Sequence, residues 1–302
     1  MRSPFLEQAA LMLRVLPHVA AEGCFALKGG TAINFFVRDL PRLSVDIDLA
    51  YLPIEPRDES LTKIGQALDR IKAGILKVVA GVTVRTGRYE GKTSKLFVRG
   101  ADGEVKIEPN LVIRGAAHPT RERDLCAAAQ ARFEVAVRLR TLSDADLYGG
   151  KLCAALDRQH PRDLFDVKVL LDDEGITPEI RKSFLVYLIS HDRPIHEVID
   201  PTRKDVQAAF AADFQGMTAA PVEYQALLDV REDLIGRIHA DLTADEKGFL
   251  VSVKEGKPRW PLLGLDGVDR MPAVQWKLKN IAKMDRAKHE EQLDKLKKKL
   301  GL

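Results

Sequence analysis

Two short stretches decide the fold of this 302-residue chain: Lys28-Gly29-Gly30-Thr31-Ala32 and Arg42-Leu43-Ser44-Val45-Asp46-Ile47-Asp48-Leu49. The first follows an apolar run, residues 25–27, and precedes apolar residues with helical spacing over residues 31–39. This order predicts a strand, a glycine turn and a helix. The second stretch alternates between polar and apolar side chains over residues 44–49, which is typical of a half-buried strand.

The predicted second strand carries two aspartates on one face. Asp46 and Asp48 are two positions apart, so their side chains project the same way with Cα atoms about 6–7 Å apart. Two such carboxylates can converge on Mg²⁺, which prefers oxygen ligands and completes its shell with water and substrate phosphates. We therefore predict that Asp46 and Asp48 bind metal. The alternative is a solvated strand edge, on which Arg42 pairs with one of them.

The glycine turn is predicted to bind phosphate. Gly29 and Gly30 allow a ligand to approach the backbone closely, and the free N–H groups at the start of a helix attract anions. The Thr31 hydroxyl offers one more donor. We therefore predict that Gly29, Gly30 and Thr31 bind the triphosphate of a nucleotide beside the metal.

A third carboxylate is expected from a neighbouring strand. In Val105-Lys106-Ile107-Glu108 the apolar residues face the core and the charged residues face the other way, after a turn predicted at residues 100–103. Glu108 is the candidate to share a metal and to help deprotonate the attacking hydroxyl. A solvated hairpin face is the alternative, because a hairpin exposes alternate residues.

Lys151 follows two glycines inside a helical pattern that begins at Ser143. Each helical glycine costs roughly 1 kcal/mol relative to alanine, so Gly149 and Gly150 indicate either close helix packing or close approach of a nucleotide whose phosphates Lys151 contacts. Asp163 and Asp166 lie three residues apart in a helix predicted from Pro161. They either position Lys151, bind base and ribose, or simply cap the helix.

The predicted organisation is an α+β domain over residues 1–172 and a helical C-terminal domain over residues 173–302. The 45% apolar and 30% charged content excludes a disordered chain. No apolar run is long enough to span a membrane, which predicts a cytoplasmic protein without a membrane partner. The three cysteines lack CxxC spacing, which predicts neither a disulfide framework nor a cysteine zinc site. Residues 276–302 hold nine Lys/Arg against four Asp/Glu, in a chain of net charge +3. This basic tail predicts either a solvated helix face or a surface for RNA phosphates.

The motifs around Gly29 and Asp46 resemble the first motif of the AbiEii/AbiGii (MenT-like) nucleotidyltransferase toxins, members of the DNA polymerase beta-type superfamily. Residues 151–156 and the run Arg162-Asp163-Leu164-Phe165-Asp166 look like the later lysine and aspartate motifs of that family. Residues 249–250, 258–260 and 272–278 look like its C-terminal region. The resemblance implies a polymerase-beta-like nucleotidyltransferase domain with a mixed sheet, followed by a helical C-terminal domain.

The resemblance also implies an activity. A toxin of a toxin-antitoxin (abortive infection, phage-defence) system would transfer a nucleoside monophosphate from an NTP to RNA, at the tRNA 3′ acceptor end, and so block translation. It would need Mg²⁺, with Mn²⁺ as a substitute, and a cognate antitoxin as partner. Carried onto this sequence, Asp46 and Asp48 bind metal, Ser44 lines the nucleotide, Lys151 contacts phosphates and Asp163 is essential. The alternatives are a protein or small-molecule hydroxyl as acceptor, and a non-catalytic nucleotide- or partner-binding module.

Overall fold

A computed structural model describes residues 4–101 and 103–302, so Asp102 of the predicted turn lies outside the described residues. The chain divides into two compact units. Unit 1 is Met1–Ser143 with Gly216–Pro221, and unit 2 is Asp144–Gln215 with Val222–Leu302. The first contains the sheet and the second is helical in its described residues. The predicted α+β class is confirmed.

Unit 1 is built on a seven-stranded mixed sheet. Its strands are β1 Phe25–Lys28, β2 Ile47–Tyr51, β3 Thr83–Tyr89, β4 Lys92–Arg99, β5 Glu104–Asn110, β6 Arg121–Asp124 and β7 Arg138–Thr141. They lie in the order β3-β4-β5-β2-β1-β7-β6. The pairs β1/β7 and β2/β5 are parallel, and the other neighbours are antiparallel. The mixed sheet expected from the resemblance is present.

In the described part of unit 1, four α-helices accompany this sheet: α1 Pro4–Ala20, α2 Gly29–Ala32, α3 Arg57–Val78 and α4 Ala127–Phe133. The short α2 continues directly into a π-helical turn, Ile33–Val37. The helix α3 packs on β4 and buries an apolar stripe with spacings of three and four residues, which is what holds an amphipathic helix against a sheet. The central strands bury alternate residues, among them Ile47, Leu49 and Ile107, each 0% exposed.

The strand that carries the aspartates begins later than its alternation predicts. It starts at Ile47 instead of Ser44, so Asp46 immediately precedes it. Arg42 instead forms a bridge with Thr218, and the Leu43 N–H donates to the Met217 carbonyl at 2.8 Å. This segment therefore pairs with residues 216–221 and joins the sheet only afterwards.

Unit 2 consists of nine longer helices in the described chain. They are α5 Asp144–Arg158, α6 Pro161–Asp172, α7 Pro178–Ser190, α8 Ile195–Ile199, α9 Gln207–Asp213, α10 Tyr224–Asp241, α11 Ala244–Lys254, α12 Pro272–Ala282 and α13 Arg286–Leu300. The helix α5 packs most closely on α7, and α6 packs on α5 and α10. Both therefore belong to this unit, and the division falls before Asp144 instead of between residues 172 and 173, where the sequence places it.

Candidate nucleotidyltransferase site

The glycine turn and β2 bring Gly29 and Asp48 together. The antiparallel register of β1 and β2 sets Lys28 opposite Asp48, and the next residue, Gly29, has a φ of 72°. A Cβ at Gly29 would lie 2.7 Å from Asp48 Oδ2, closer than any real side chain tolerates. Glycine therefore serves both the backbone conformation and the position of the carboxylate, which lies directly against the turn.

Gly30, Thr31 and Ser44 tie the turn to the segment that precedes β2. A Cβ at Gly30 would lie 2.6 Å from Arg42 Nη2 and 3.1 Å from Ser44 Oγ. The Thr31 side chain is fully buried, and its Oγ1 lies 3.0 Å from Ser44 Oγ and hydrogen-bonds the Asp46 carbonyl oxygen. The Thr31 hydroxyl thus fixes the backbone at Asp46, and its contact with a nucleotide stays a prediction.

Glu108 stands beside Asp48 in the sheet. The parallel register of β2 and β5 pairs the two residues, so the chain brings the predicted third carboxylate next to the second. Glu108 accepts a hydrogen bond from Lys95 Nζ at 3.0 Å and lies 2.7 Å from Lys106 Nζ. Partial burial acts to raise the pKa of Glu108, but the hydrogen bonds from Lys106 and Lys95 outweigh it and lower that pKa below its ordinary value.

The two lysines at Glu108 belong to the candidate site, and the sequence did not identify them. Burial acts to lower the pKa of Lys106, but the Glu108 carboxylate, and after it Asp46 and Asp48, raise it on balance. Lys106 therefore lies within the electrostatic reach of all three acids. The alternation in β5 places Lys106 and Glu108 on one face, which was a usable signal, whereas Lys95 meets Glu108 only through the β4/β5 register.

A cleft of about 280 Å³ opens beside the Asp48 and Glu108 carboxylates, and it is lined by Lys28, Asp48, Leu49, Glu108 and residues 109–111. Within the described residues no group of three or more His, Cys, Asp and Glu side chains is arranged to hold a metal ion, and no cation lies within ion-pair distance of Asp48. Mg²⁺ is commonly held by one or two carboxylates plus substrate phosphates, so the donor set of Asp46 and Asp48 fits it. The lysines at Glu108 would compete with a metal for that third carboxylate.

The predicted residues Lys151, Asp163 and Asp166 form a cluster in unit 2. Lys151 Nζ lies 2.7 Å from Asp163 Oδ1 and 2.9 Å from Asp166 Oδ2, and all three residues are buried. Arg158 Nη2 adds a contact of 2.7 Å to Asp163 Oδ2. Of the alternatives for the two aspartates, these contacts favour the positioning of Lys151. Whether Lys151 contacts phosphates stays a prediction.

Helix packing accounts for the two glycines before Lys151. A Cβ at Gly149 would lie 2.6 Å from the Phe184 nitrogen, and one at Gly150 would lie 3.1 Å from the Tyr187 ring. Both neighbours belong to α7. The glycines therefore let α5 and α7 approach closely, which was one of the two alternatives for them.

Comparison with known proteins assigns the family. The family model described as nucleotidyl transferase AbiEii toxin, type IV toxin-antitoxin system, matches residues 10–280. The chain belongs to this AbiEii family. It is therefore a nucleotidyltransferase enzyme of the toxin-antitoxin class, and the resemblance seen in its motifs is confirmed.

The fold of this AbiEii protein is shared with a solved structure. It is similar to MenT4, a nucleotidyltransferase toxin from Mycobacterium tuberculosis H37Rv, with a TM-score of 0.63 and 18% sequence identity. The match covers 92% of this chain and 93% of that chain. No curated protein matches this sequence. In the described part of the chain, no helix is both long and apolar enough to cross a membrane.

Proposed function

We propose that this AbiEii protein transfers a nucleoside monophosphate from an NTP to the 3′ end of tRNA in a Mg²⁺-dependent reaction. One observation carries the proposal: the Asp48 carboxylate lies against the glycine turn at the cleft of about 280 Å³, with Glu108 as its neighbour in the sheet. Carboxylate oxygens and a glycine turn with close backbone access are the two things that a metal-bound triphosphate requires.

Different residues of this chain have different roles in the proposed reaction. When bound, Mg²⁺ or Mn²⁺ neutralises phosphate charge and favours the ionised form of the acceptor hydroxyl. Asp46 and Asp48 would hold the metal, while the backbone N–H groups of Gly29 and Gly30, at the start of α2, would bind phosphate oxygens. The acceptor 3′-hydroxyl loses its proton to solvent, its oxygen forms a bond to the α-phosphorus, the bond from that phosphorus to the bridging oxygen breaks, and pyrophosphate leaves.

Glu108 suits metal binding better than proton transfer. Its pKa lies below the ordinary value, so the carboxylate is ionised at neutral pH but is a weak base. We therefore propose that Glu108 contributes negative charge beside the metal, and that it does so in competition with Lys95 and Lys106.

The proposed partners follow from the family and the charge distribution. A toxin of a type IV toxin-antitoxin system has a cognate antitoxin, and RNA supplies phosphates that the basic tail over residues 276–302 can bind. Because tRNA and ribosomes are in the cytoplasm, we place the activity there. In this proposal Ser44 lines the nucleotide and Lys151 contacts its phosphates, while Asp163 and Asp166 position Lys151.

The test is to incubate the protein with Mg²⁺, total tRNA and each of four NTPs labelled at the α-phosphate. We expect label in tRNA, its loss on addition of a chelator, and its return with excess Mg²⁺ or Mn²⁺. Asp48→Asn removes a ligand charge and is expected to abolish labelling, while Asp58→Asn, at a 90%-exposed side chain, leaves it unchanged.

Two outcomes would revise the proposal. Label in the protein fraction with unlabelled RNA would make a protein hydroxyl the acceptor. No label in either fraction with any NTP, in a sample whose fold is intact by circular dichroism, would refute the transfer activity proposed for this site.

A further inference from the structure

A pocket in unit 2 is lined by lysines. This cavity of about 250 Å³ is lined by residues of α8, α12 and α13, by Lys254 at the end of α11, and by residues before α8. Lys254, Lys277 and Lys288 contribute three ammonium groups, and His196 is a further basic side chain. Of the described residues that line it, only Asp192 is acidic, and the Asp192 side chain is 94% exposed.

Lys254 is buried without a negative partner. It is 5% exposed, and its Nζ lies 2.7 Å from Gln292 Oε1 and 3.5 Å from Met284 Sδ. No carboxylate of the described chain lies within ion-pair distance of it. Lysine is almost never buried unless it is paired, and Lys151 in the same unit has two carboxylates within 3 Å. The partner that Lys151 has is missing at Lys254.

Lys277 likewise has no carboxylate within ion-pair distance in the described chain, although it is only half-buried. Its Nζ donates to the His191 carbonyl at 2.7 Å and to the Arg193 carbonyl at 2.6 Å. Burial, and then the charge of Lys254, lowers the pKa of Lys277 to about 8. An ammonium group has three N–H donors, so Lys254 and Lys277 each use two and keep one. The pocket therefore combines mutually repelling cations with unused donors.

We propose that this pocket binds a phosphate group. The oxygens of a phosphate would accept the remaining N–H of Lys254 and of Lys277, and its charge would relieve the repulsion that includes Lys288 at the exposed side. The volume lies below the roughly 300–1,000 Å³ of pockets for drug-sized ligands, which suits phosphate or pyrophosphate better than a whole nucleotide. The ligand is either a free phosphate or one phosphate of an RNA backbone.

Site-resolved acetylation tests the proposal on the full chain. Because part of Lys277 is neutral near its pKa, it reacts with an acetylating reagent, and acetylation at each lysine is read by peptide mass spectrometry. Inorganic pyrophosphate, added with a chelator, is expected to lower acetylation of Lys277 several-fold relative to Lys77, an exposed lysine of α3. In Lys254→Met we expect the same protection to need about tenfold more pyrophosphate.

Three variants make the result specific. Lys77→Met removes an exposed lysine that does not line the pocket and is expected to leave the protection unchanged. Lys288→Met changes an exposed residue and should leave the fold intact. This variant is expected to weaken the protection of Lys277 as Lys254→Met does. Asp48→Asn is expected to keep full protection, which separates this pocket from the candidate site in unit 1 and from the activity proposed there.

Two probes distinguish the sources of phosphate. Protection of Lys277 by an oligoribonucleotide without terminal phosphates, at lower concentration than pyrophosphate, identifies the RNA backbone as the ligand. Protection by pyrophosphate alone identifies a small phosphate. Acetylation of Lys277 that neither probe changes would overturn the proposal, as would protection that is equal in the wild type, Lys254→Met and Lys288→Met.

Discussion

Position 29 requires glycine for two reasons, its backbone conformation and the closeness of a neighbouring side chain. Its φ of 72° costs an ordinary residue on the order of 1–2 kcal/mol, and its missing Cβ leaves the space that Asp48 Oδ2 occupies. Gly91, in the turn between β3 and β4, has a φ of 76° but nothing within 4 Å of a Cβ. The same substitution at Gly29 and at Gly91 therefore distinguishes the effect of backbone strain from the effect of displacing the Asp48 carboxylate.

We predict that Gly29→Ala and Gly91→Ala lose similar stability, about 1 kcal/mol each from the backbone, and that only Gly29→Ala loses transfer activity. Urea unfolding measures the first effect and label in tRNA the second. In Gly29→Ala the new methyl group must push Asp48 off the turn, so activity should fall to the level of Asp48→Asn. An active Gly29→Ala would show that the contact between Gly29 and Asp48 is unimportant.

Lys277 gives a prediction about pH. Its pKa is about 8 in the folded protein, because of burial and then Lys254, against 10.5 ordinarily, and Asp192 and Glu197 oppose the shift. Between these two values the unfolded chain binds a proton that the folded chain does not, so stability rises with pH. Relative to Lys277→Met, the free energy of unfolding of the wild type should rise by up to about 3 kcal/mol between these two pH values. Urea unfolding of both proteins across this range measures the difference, and parallel curves would contradict the shift.

Some residues of the candidate site could be predicted because their neighbours in the sequence specify where they lie. The turn at Gly29 and the alternation around Asp48 each lie within a few adjacent residues. A similar alternation in β5 placed Glu108 on the polar face of that strand. Lys95 could not be predicted, because it meets Glu108 only through the β4/β5 register, which nothing local specifies. Lys254 likewise could not be predicted, because its lack of a carboxylate partner among the described residues results from the packing of helices that are far apart in the sequence.

Among the elements, α5 and α7 make the closest contact in unit 2, and Gly149 is the reason. The nearest atoms to a Cβ at this position include the backbone nitrogen of Phe184 and the backbone carbon of Ser183, at 2.6 and 2.7 Å. Backbone atoms cannot rotate away as a flexible side chain can, so a methyl group would have to separate the two helices. Gly236 in α10 offers the contrast, because nothing lies within 4 Å of a Cβ there.

We predict opposite effects of the same substitution at these two positions. Gly149→Ala should lower the free energy of unfolding by about 1–3 kcal/mol through overpacking. Gly236→Ala should raise it by about 0.5–1 kcal/mol, because alanine favours a helix and meets no obstacle. Chemical denaturation measures both, and a stabilised Gly149→Ala would mean that α5 and α7 are not held as closely as the structure shows.

The elements themselves were predictable where their own residues specify them. The helix α3 buries the apolar stripe that its spacing predicts, and α6 starts at the proline that marks it. The start of β2 was not predictable, because the alternation continues upstream while Leu43 bonds to Met217, far along the chain. The strand β6, Arg-Glu-Arg-Asp, gives no hydrophobic pattern because it is a charged edge strand.

For the molecule as a whole, the distribution of charge carries more information than its sum. The net charge is +3, yet residues 276–302 alone carry nine basic against four acidic side chains. Part of this charge is neutralised within the protein, since Lys295 pairs with Glu291 and Lys299 with Asp200. Lys283 and Lys298 are exposed and have no carboxylate within ion-pair distance in the described residues, so they remain for an external polyanion.

The double variant Lys283→Gln/Lys298→Gln therefore tests whether the basic tail binds the RNA acceptor. Affinity for tRNA, measured at several salt concentrations, should fall, and the slope of log affinity against log salt should become shallower by about 0.7–0.9 for each lysine that contacts a phosphate. The turnover number at saturating tRNA should not change, because neither lysine lies at the cleft lined by Asp48. Lys77→Gln removes an exposed charge from α3 and should leave the slope as in the wild type. An unchanged slope in the double variant would instead identify the tail as a solvated helix face.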